Sequence, residues 1–414
     1  MTFIAPMHTS RTLPLPGASK HGTANGVALA ATIGNMVGTT PAVSATFGVF
    51  LIPIATDFGW SRALVSGVLG LISIISALIY PFVGYALDRF GARLILIGGN
   101  IVFGISIILL ALATNNVALF YLLFGLVGIA GSIPSTAMFC KVVSNWFDER
   151  RGLMLGVSAG LGNGLGATIM PIAAGLMLAP FGWRGAFVGI GLIVILLGAP
   201  ILLLFLRDAP AGRSAAGAID ALEGMSLSQA WRTRPFWLLL IGVGAGAGGM
   251  TAVFTHVVPM LTDHHVDLGQ ATIVIAVFAL VTAAWQIGAG HLLDKYRTPR
   301  LITPMYGAAI LGLVLLQFGH GTISNMSAGV LLGIGLGAEY AALPYFISRY
   351  FGLRHYGSIT GVIYAVVILV QGITPALMDL GFDHLGSYDV ATIVIIAALA
   401  IAMILFALLP RPTT

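Results

Sequence analysis

The strongest constraint on this chain is a succession of apolar stretches, each long enough to cross a bilayer. They run near residues 25–55, 62–87, 92–113, 116–144, 152–179 and 184–206, and again near 236–262, 269–292, 300–320, 324–348, 357–379 and 388–409. About 20 apolar residues span the ~30 Å hydrocarbon core. Within that core every backbone polar group must find its partner inside the protein, so continuous stretches of this length are helices. Charge agrees: 8% of the 414 residues are charged, against about 25% in a soluble domain. Such a surface cannot face water all round. Gly, at 54 residues, lets membrane helices approach closely. The sequence therefore predicts an all-α membrane protein with twelve transmembrane helices.

Positive charge sets the expected orientation. With the N-terminus inside, the cytoplasmic loops receive Arg11, Lys20, Arg89, Arg93, Lys141, Arg150, Arg151, Arg207, Arg213, Arg232, Arg234, Lys295, Arg297, Arg300, Arg349, Arg354 and Arg411. Arg62 and Arg184 fall outside, among Asp57, Asp263, Asp267, Asp379, Asp383 and Asp389. Both termini are expected in the cytoplasm. The net charge of +5 comes from scattered residues, without the basic stripe that nucleic acid requires. Cys140 stands alone, so it forms no intramolecular disulfide or zinc cage, and it is expected to pack as a small apolar side chain. Residues 1–24 have no apolar h-region and read as a short cytoplasmic tail rather than a signal peptide. No nucleotide loop, metal box or supported nucleophile motif points to an enzyme or a cofactor. Gly160-x-Gly162 lacks the third glycine, because Leu165 stands there.

The two halves repeat. Gly84-x-x-x-Asp88-Arg89 matches Gly290-x-x-x-Asp294-Lys295, Trp146-Phe147 matches Tyr350-Phe351, and Pro171 matches Pro375. A shared offset of about half the chain implies a parallel duplication, with two pseudo-symmetric six-helix bundles around a cavity at mid-membrane. The expected divisions are a tail at 1–24, one bundle at 25–206, a cytoplasmic linker at 207–235, a second bundle at 236–409 and a tail at 410–414. Ser226 to Trp231 could form a short surface helix.

The stretch Gly84-Tyr85-Ala86-Leu87-Asp88-Arg89-Phe90-Gly91-Ala92-Arg93, duplicated at half-chain spacing, resembles the signature of the major facilitator superfamily. Several further stretches resemble its bacterial monocarboxylate-porter and oxalate:formate-antiporter branch. They are Asp57-Phe58-Gly59-Trp60-Ser61-Arg62, Asn145-Trp146-Phe147 with Arg150-Arg151-Gly152, Gly182-Trp183-Arg184, His256-Val257-Val258-Pro259, Gly337-Ala338-Glu339 and Arg349-Tyr350-Phe351-Gly352. The resemblance implies the major facilitator fold, with helices 1, 4, 7 and 10 lining the cavity and 2, 5, 8 and 11 contributing. It also implies secondary transport of a small organic anion, often coupled to protons or to counter-exchange, in the bacterial inner membrane. One position departs. Members of the branch often carry an arginine in helix 8, four residues before the second signature glycine, and here that residue is Gln286.

Polar groups at membrane depth need a reason. Glu339 lies about ten residues, or about 15 Å, from the cytoplasmic end of helix 10, and reads as a proton-carrying or gating acid or as a structural acid paired with a neighbouring helix. His256 in helix 7 suits protonation, anion binding or hydrogen-bonded packing. Polar stripes pair Asn35 with Thr39, Thr251 with Thr255, and Thr282 with Gln286, and place Thr360, Tyr364 and Gln371 on one face. As a set they suit a substrate cavity, with Trp285, Tyr340 and Tyr364 offering aromatic walls and Asn163 a further amide; singly, each could be helix-to-helix glue. The expected substrate or coupling residues are Asn35, Thr39, Thr251, Thr255, His256, Gln286, Glu339, Tyr340, Tyr364 and Gln371. The expected gating residues are Gly84, Asp88, Arg89, Arg93, Gly290, Asp294 and Lys295. Lys141 is expected to snorkel to the interface. The expected partners are a small organic anion, protons and the lipid bilayer, with a monomer as the working unit. A proton-driven exporter of a metabolite, toxic compound or drug is the alternative, since the fold runs in either direction.

Overall fold

A computed structural model describes residues 18–208 and 224–412. The expected tail at 1–24 and linker at 207–235 therefore lie largely outside the described residues. Nearly everything described is helical. Among the described residues, eleven stretches are long and apolar enough to cross a membrane. The longest, Arg151–Phe205, has 55 residues, about 80 Å of helix at ~1.5 Å per residue. It turns at Gly182, whose φ of 64° and ψ of 179° interrupt the helix in a conformation that a Cβ would strain. The stretch is thus two crossings, and the total among the described residues is twelve.

We number them α1 (Thr23–Phe58), α2 (Leu64–Phe90), α3 (Ala92–Leu112), α4 (Val117–Trp146), α5 (151–181), α6 (183–205), α7 (Arg234–Asp263), α8 (Gly269–Tyr296), α9 (Pro299–Phe318), α10 (Thr322–Phe351), α11 (Tyr356–Phe382) and α12 (Asp389–Leu408). An even number of crossings returns the chain to the side on which it began. We call that side the terminal face and its opposite the far face. A four-residue helix, Leu227–Ala230, precedes α7 and is opened by Ser226, whose side chain and that of Gln229 cap each other's backbone.

Each half has its own apolar centre. Phe50, Phe120, Phe124 and Phe187 meet in the first. Tyr306, Phe346 and Phe406 meet in the second. Cys140 is buried among apolar neighbours. The outer surface is apolar as well, with Leu78, Phe82, Leu94, Leu176 and Leu280 all projecting outward. In water that would be a large adhesive surface; in lipid it is the solvent-matched one. The internal repeat has a physical counterpart beyond the signatures. Trp146 Nε1 donates to the carbonyl of Arg207, just past α6, and Tyr350 Oη donates to that of Pro410, just past α12.

Four helices of the first half are irregular at mid-depth, α6 through a wide turn at Val194–Gly198. α1 breaks near Gly38 and resumes through a wide turn at Thr40–Ala45 that contains Pro41. α4 stops at Gly131 and restarts at Thr136, with Pro134 between. α5 holds a wide turn at Gly156–Leu161. Irregular backbone at membrane depth is tolerated where it lies within protein or lines a cavity.

The halves touch along lines of glycine. A Cβ on Gly84 would strike the carbonyl of Gly357, and one on Gly152 would strike that of Gly290. Gly361 faces the backbone of Tyr80 and Pro81, and Gly156 that of Gln286 and Ile287. Gly164 of α5 still reaches Ala283 of α8, but beyond it, among the described residues, these helices no longer run together. Gly84→Val or Gly290→Val overpacks the contact by about 1–3 kcal/mol and should favour an open terminal face by about tenfold. The reporter is Ser348→Cys in a Cys140→Ser background: maleimide labelling from the terminal side should speed up, and unchanged labelling would refute the assignment.

Candidate functional site

A cavity of about 610 Å³ lies between the halves at mid-depth, within the range of small-molecule sites. Its walls come from α1, α2, α4 and α5 and from their counterparts α7, α8, α10 and α11. Of the residues singled out in the sequence, Thr39, Thr251, Gln286, Glu339, Tyr340, Tyr364 and Gln371 line it together, as do Thr282 and Asn163. Tyr340 is 39% exposed although α10 is the most enclosed of the crossings, because its side chain borders this open space.

Glu339 is the one formally charged residue among those lining the cavity. It is buried, and Tyr306 Oη of α9 donates to its Oε2 at 3.1 Å. Gly246 of α7 packs directly against both groups, so the carboxyl sits at the junction of α7, α9 and α10. The partner that the sequence left unnamed is thus a phenol rather than a cation.

Three of the ten expected substrate or coupling residues lie elsewhere. Asn35 is buried between α1 and α5, where its Nδ2 donates to the carbonyl and the Oγ of Ser158, both at 3.1 Å. Thr255 turns its hydroxyl back to the carbonyl of Ala252. His256 stands 2.8 Å from Asp379 Oδ1 through Nε2 and 2.8 Å from the carbonyl of Ala252 through Nδ1, tying α7 to α11 toward the far face. Trp285 is not among the cavity-lining residues either.

The terminal face is closed below the cavity by two crossed clasps. Asp88, at the end of α2, accepts from the N–H groups of Gly357 and Ser358, at 3.0 and 2.7 Å, and from the Ser358 hydroxyl. Asp294, at the end of α8, accepts from the N–H groups of Gly152 and Leu153, both at 2.8 Å. Each carboxyl thereby caps the first turn of a helix in the opposite half, where free N–H groups and the helix dipole favour negative charge. Gly84 and Gly290, one turn earlier, let the backbones come close enough.

Lys141 does not snorkel. It is buried, and its Nζ bonds Asp88 at 2.6 Å, because an acid at the neighbouring helix end offers a charge partner in place of the interface. The corresponding position of α10 is Tyr345, which donates to the carbonyl of Leu293. Arg89 reaches Tyr85 of its own helix, Arg93 reaches the carbonyl of Leu203, and Lys295 lies over the Tyr296 ring; none of these three contacts crosses between the halves. The sequence missed the group that does. Asp148, after α4, pairs with Arg151 at 3.1 Å and with Arg349 of α10 at 2.9 Å, and Arg151 also donates to Ser348. The motif residues Arg150-Arg151-Gly152 and Arg349 offered the signal, but their shared acid had no motif of its own.

At the far face the remaining branch motifs meet one another. Asp57 Oδ2 accepts from Arg184 at 2.8 Å and Trp183 Nε1 at 3.1 Å, and Arg184 also donates to the carbonyl of Ala113. Gly59 ends α1 with a φ of 68°, which glycine permits. These motifs fasten the first half to itself.

Two bundles closed by polar clasps at one face, with a cavity of mixed polar and apolar lining between them, have the architecture of a membrane transporter. Residues 28–375 match the family model of the Major Facilitator Superfamily, and the chain belongs to that family. It is 30% identical over 325 residues to human Monocarboxylate transporter 11, an alignment covering 74% of this chain and 66% of that longer protein. It is 26% identical over 326 residues to the uncharacterized MFS-type transporter YcxA of Bacillus subtilis (strain 168), covering 76% and 73%. Its fold matches the Escherichia coli fucose:proton symporter with a TM-score of 0.68 over 96% of this chain and 99% of that one, at 15% identity. The protein is a multi-pass membrane transporter rather than an enzyme.

Asp148→Ala leaves the guanidinium groups of Arg151 and Arg349, each under 10% exposed, without their carboxylate. It should speed labelling of the Ser348→Cys reporter from the terminal side. Labelling at the parent rate would show that the trio does not hold that face shut.

Proposed function

We propose that this chain is a proton-coupled secondary transporter carrying a small organic anion, a mono- or dicarboxylate with room for an aromatic ring, across a bacterial inner membrane. The observation that carries the reading is Glu339: a buried carboxyl bordering the cavity, held by the Tyr306 phenol and facing no Lys or Arg among the lining residues. A group so placed takes up or releases a proton as the cavity changes its exposure and its occupant. The aromatic walls of Tyr80, Tyr340 and Tyr364 with the amides of Gln286, Gln371 and Asn163 suit a solute with a ring and a polar head. The relative named a monocarboxylate transporter and the neighbour named a proton symporter support the same reading.

The terminal face carries Arg89, Arg93, Arg150, Arg207, Lys295, Arg297 and Arg300, and the far face Asp57, Asp263, Asp267, Asp379 and Asp389. The charge bias makes the terminal face cytoplasmic, with both termini inside, and the conformation described is closed to the cytoplasm. Asp88, Asp294 and their glycines act as the gate. One chain holds both halves and the cavity, which supports a monomer as the working unit.

A second reading, a proton-driven exporter of a metabolite, toxic compound or drug, draws on the absence of Lys and Arg from the residues lining the cavity. Uptake into proteoliposomes separates the two. Under an inward proton gradient, accumulation of a carboxylate should exceed that without a gradient. Glu339→Gln should abolish the difference while leaving carboxylate binding in place. Uptake indifferent to the gradient in the parent protein would refute proton coupling, and transport confined to hydrophobic cations would establish the exporter.

A further inference from the structure

The break in α4 answers how a cavity without a cation could receive an anion. A helix interrupted at mid-membrane frees carbonyl groups on one side of the gap and N–H groups on the other. Here the freed acceptors are taken up. Thr39 Oγ1 of α1 donates to the carbonyl of Gly131. The Ser132 hydroxyl and N–H both donate to that of Gly128, and the N–H of Ile133 donates to that of Ala130.

The donors are treated differently. Pro134 has no N–H to give. The second segment, Thr136–Trp146, opens with Ser135 extended at φ −94° and ψ 157°, and the Ser135 side chain makes no cap bond. Among the described residues, the N–H groups of Ser135, Thr136 and Ala137 meet no protein acceptor, whereas those of Met138 and Phe139 turn back to the carbonyl of Ser135. Pro134, Ser135, Thr136 and Ala137 all line the cavity.

A second feature points to a ligand at the same spot. The Ser135 hydroxyl, in a side chain 4% exposed, makes no hydrogen bond of full geometry to the protein, and its one polar contact is a loose one to the Tyr80 phenol. A buried hydroxyl left unpaired costs about 1–3 kcal/mol. Thr136 Oγ1 already accepts from Asn163 Nδ2 at 3.0 Å, which leaves its own proton free to donate. The N–H groups and the Thr136 hydroxyl proton are donors and the Ser135 hydroxyl can act as one, all at the positive end of an 11-residue helix segment whose dipole favours an anion.

We infer that the restart of α4, through the N–H groups of Thr136 and Ala137 and the hydroxyls of Ser135 and Thr136, receives the carboxylate of the transported solute in place of a basic anchor. This rests on the anion reading above and gives it a location. The negative head lies against the first half, while Glu339 borders the cavity from the second half. The Gln286 side of the cavity is then free for the rest of the solute.

Thr136→Pro tests the backbone donor. Proline fits the first position of a helix, and the residue before it must be extended, as Ser135 already is. Ser135→Ala tests the hydroxyl with the backbone intact, and serves if the first variant does not fold. Each protein, purified in detergent and monodisperse by size exclusion, is titrated with benzoate and benzamide and with lactate and lactamide. The parent should prefer each carboxylate to its amide, and each variant should lose about tenfold of that preference, the scale of one hydrogen bond to a charged group. Variants that keep the full preference would overturn this inference and leave the anion reading standing. A parent that prefers the amides would overturn both.

Discussion

Hydrocarbon offers no partner to a backbone N–H or C=O, and the rest of this structure follows from that. Most of the chain meets the constraint in the simplest way, as uninterrupted helices whose outer faces carry large apolar side chains. The first half departs from it at Gly38, at Ser132–Ser135, at Gly156–Leu161 and at Val194–Gly198, and the first three departures lie where the halves face one another. The repairs are local: Thr39 supplies a proton to Gly131, and Ser132 one to Gly128. The backbone is allowed to be irregular where a cavity exists, and the irregularity in turn gives the cavity part of its polarity.

The same economy of polar groups governs the closed face. Asp88 and Asp294 each sit on the first turn of a helix from the other half, and the duplication makes these contacts mirror one another. The symmetry is incomplete. Asp88 also holds Lys141, while Tyr345 occupies the matching place in the second half and turns to a carbonyl. One clasp is an ion pair with a helix end; the other is a helix end with a tyrosine in the matching place and the charges of Arg151 and Arg349 acting on it. The two halves thus share a fold without sharing the partners of their locks.

Much of this was legible in the sequence, because the signals were long or duplicated. Twelve apolar stretches and a charge bias need no contact information, and the signatures at Gly84 and Gly290 announced themselves by their spacing. The cavity was legible in part: Gln286, Glu339, Tyr340, Tyr364 and Gln371 face it, since polar residues deep in a span have few other places to go. Asn35 and His256 met the same criterion and serve contacts between helices, because helical periodicity gives a face but not which neighbour lies across it. Lys141 turned inward, since the acid that draws it lies on another helix. Asp148 and the restart of α4 were not legible. The first is a loop acid without a motif, and the second is a property of backbone groups, which carry no letter in a sequence.

The glycine lines between the halves bear on how the protein moves. Where side chains interdigitate, two helices must spread apart before one can slide or tilt, and dispersion contact is lost all along the seam. Gly84 against Gly357, Gly152 against Gly290 and Gly361 against Tyr80 present backbone to backbone, surfaces with little relief. Such a seam behaves as a bearing. The halves can roll across it without first unpacking, so the barrier to each cycle is concentrated in a handful of hydrogen bonds and ion pairs at one end, while the greasy length of the interface turns over with little friction.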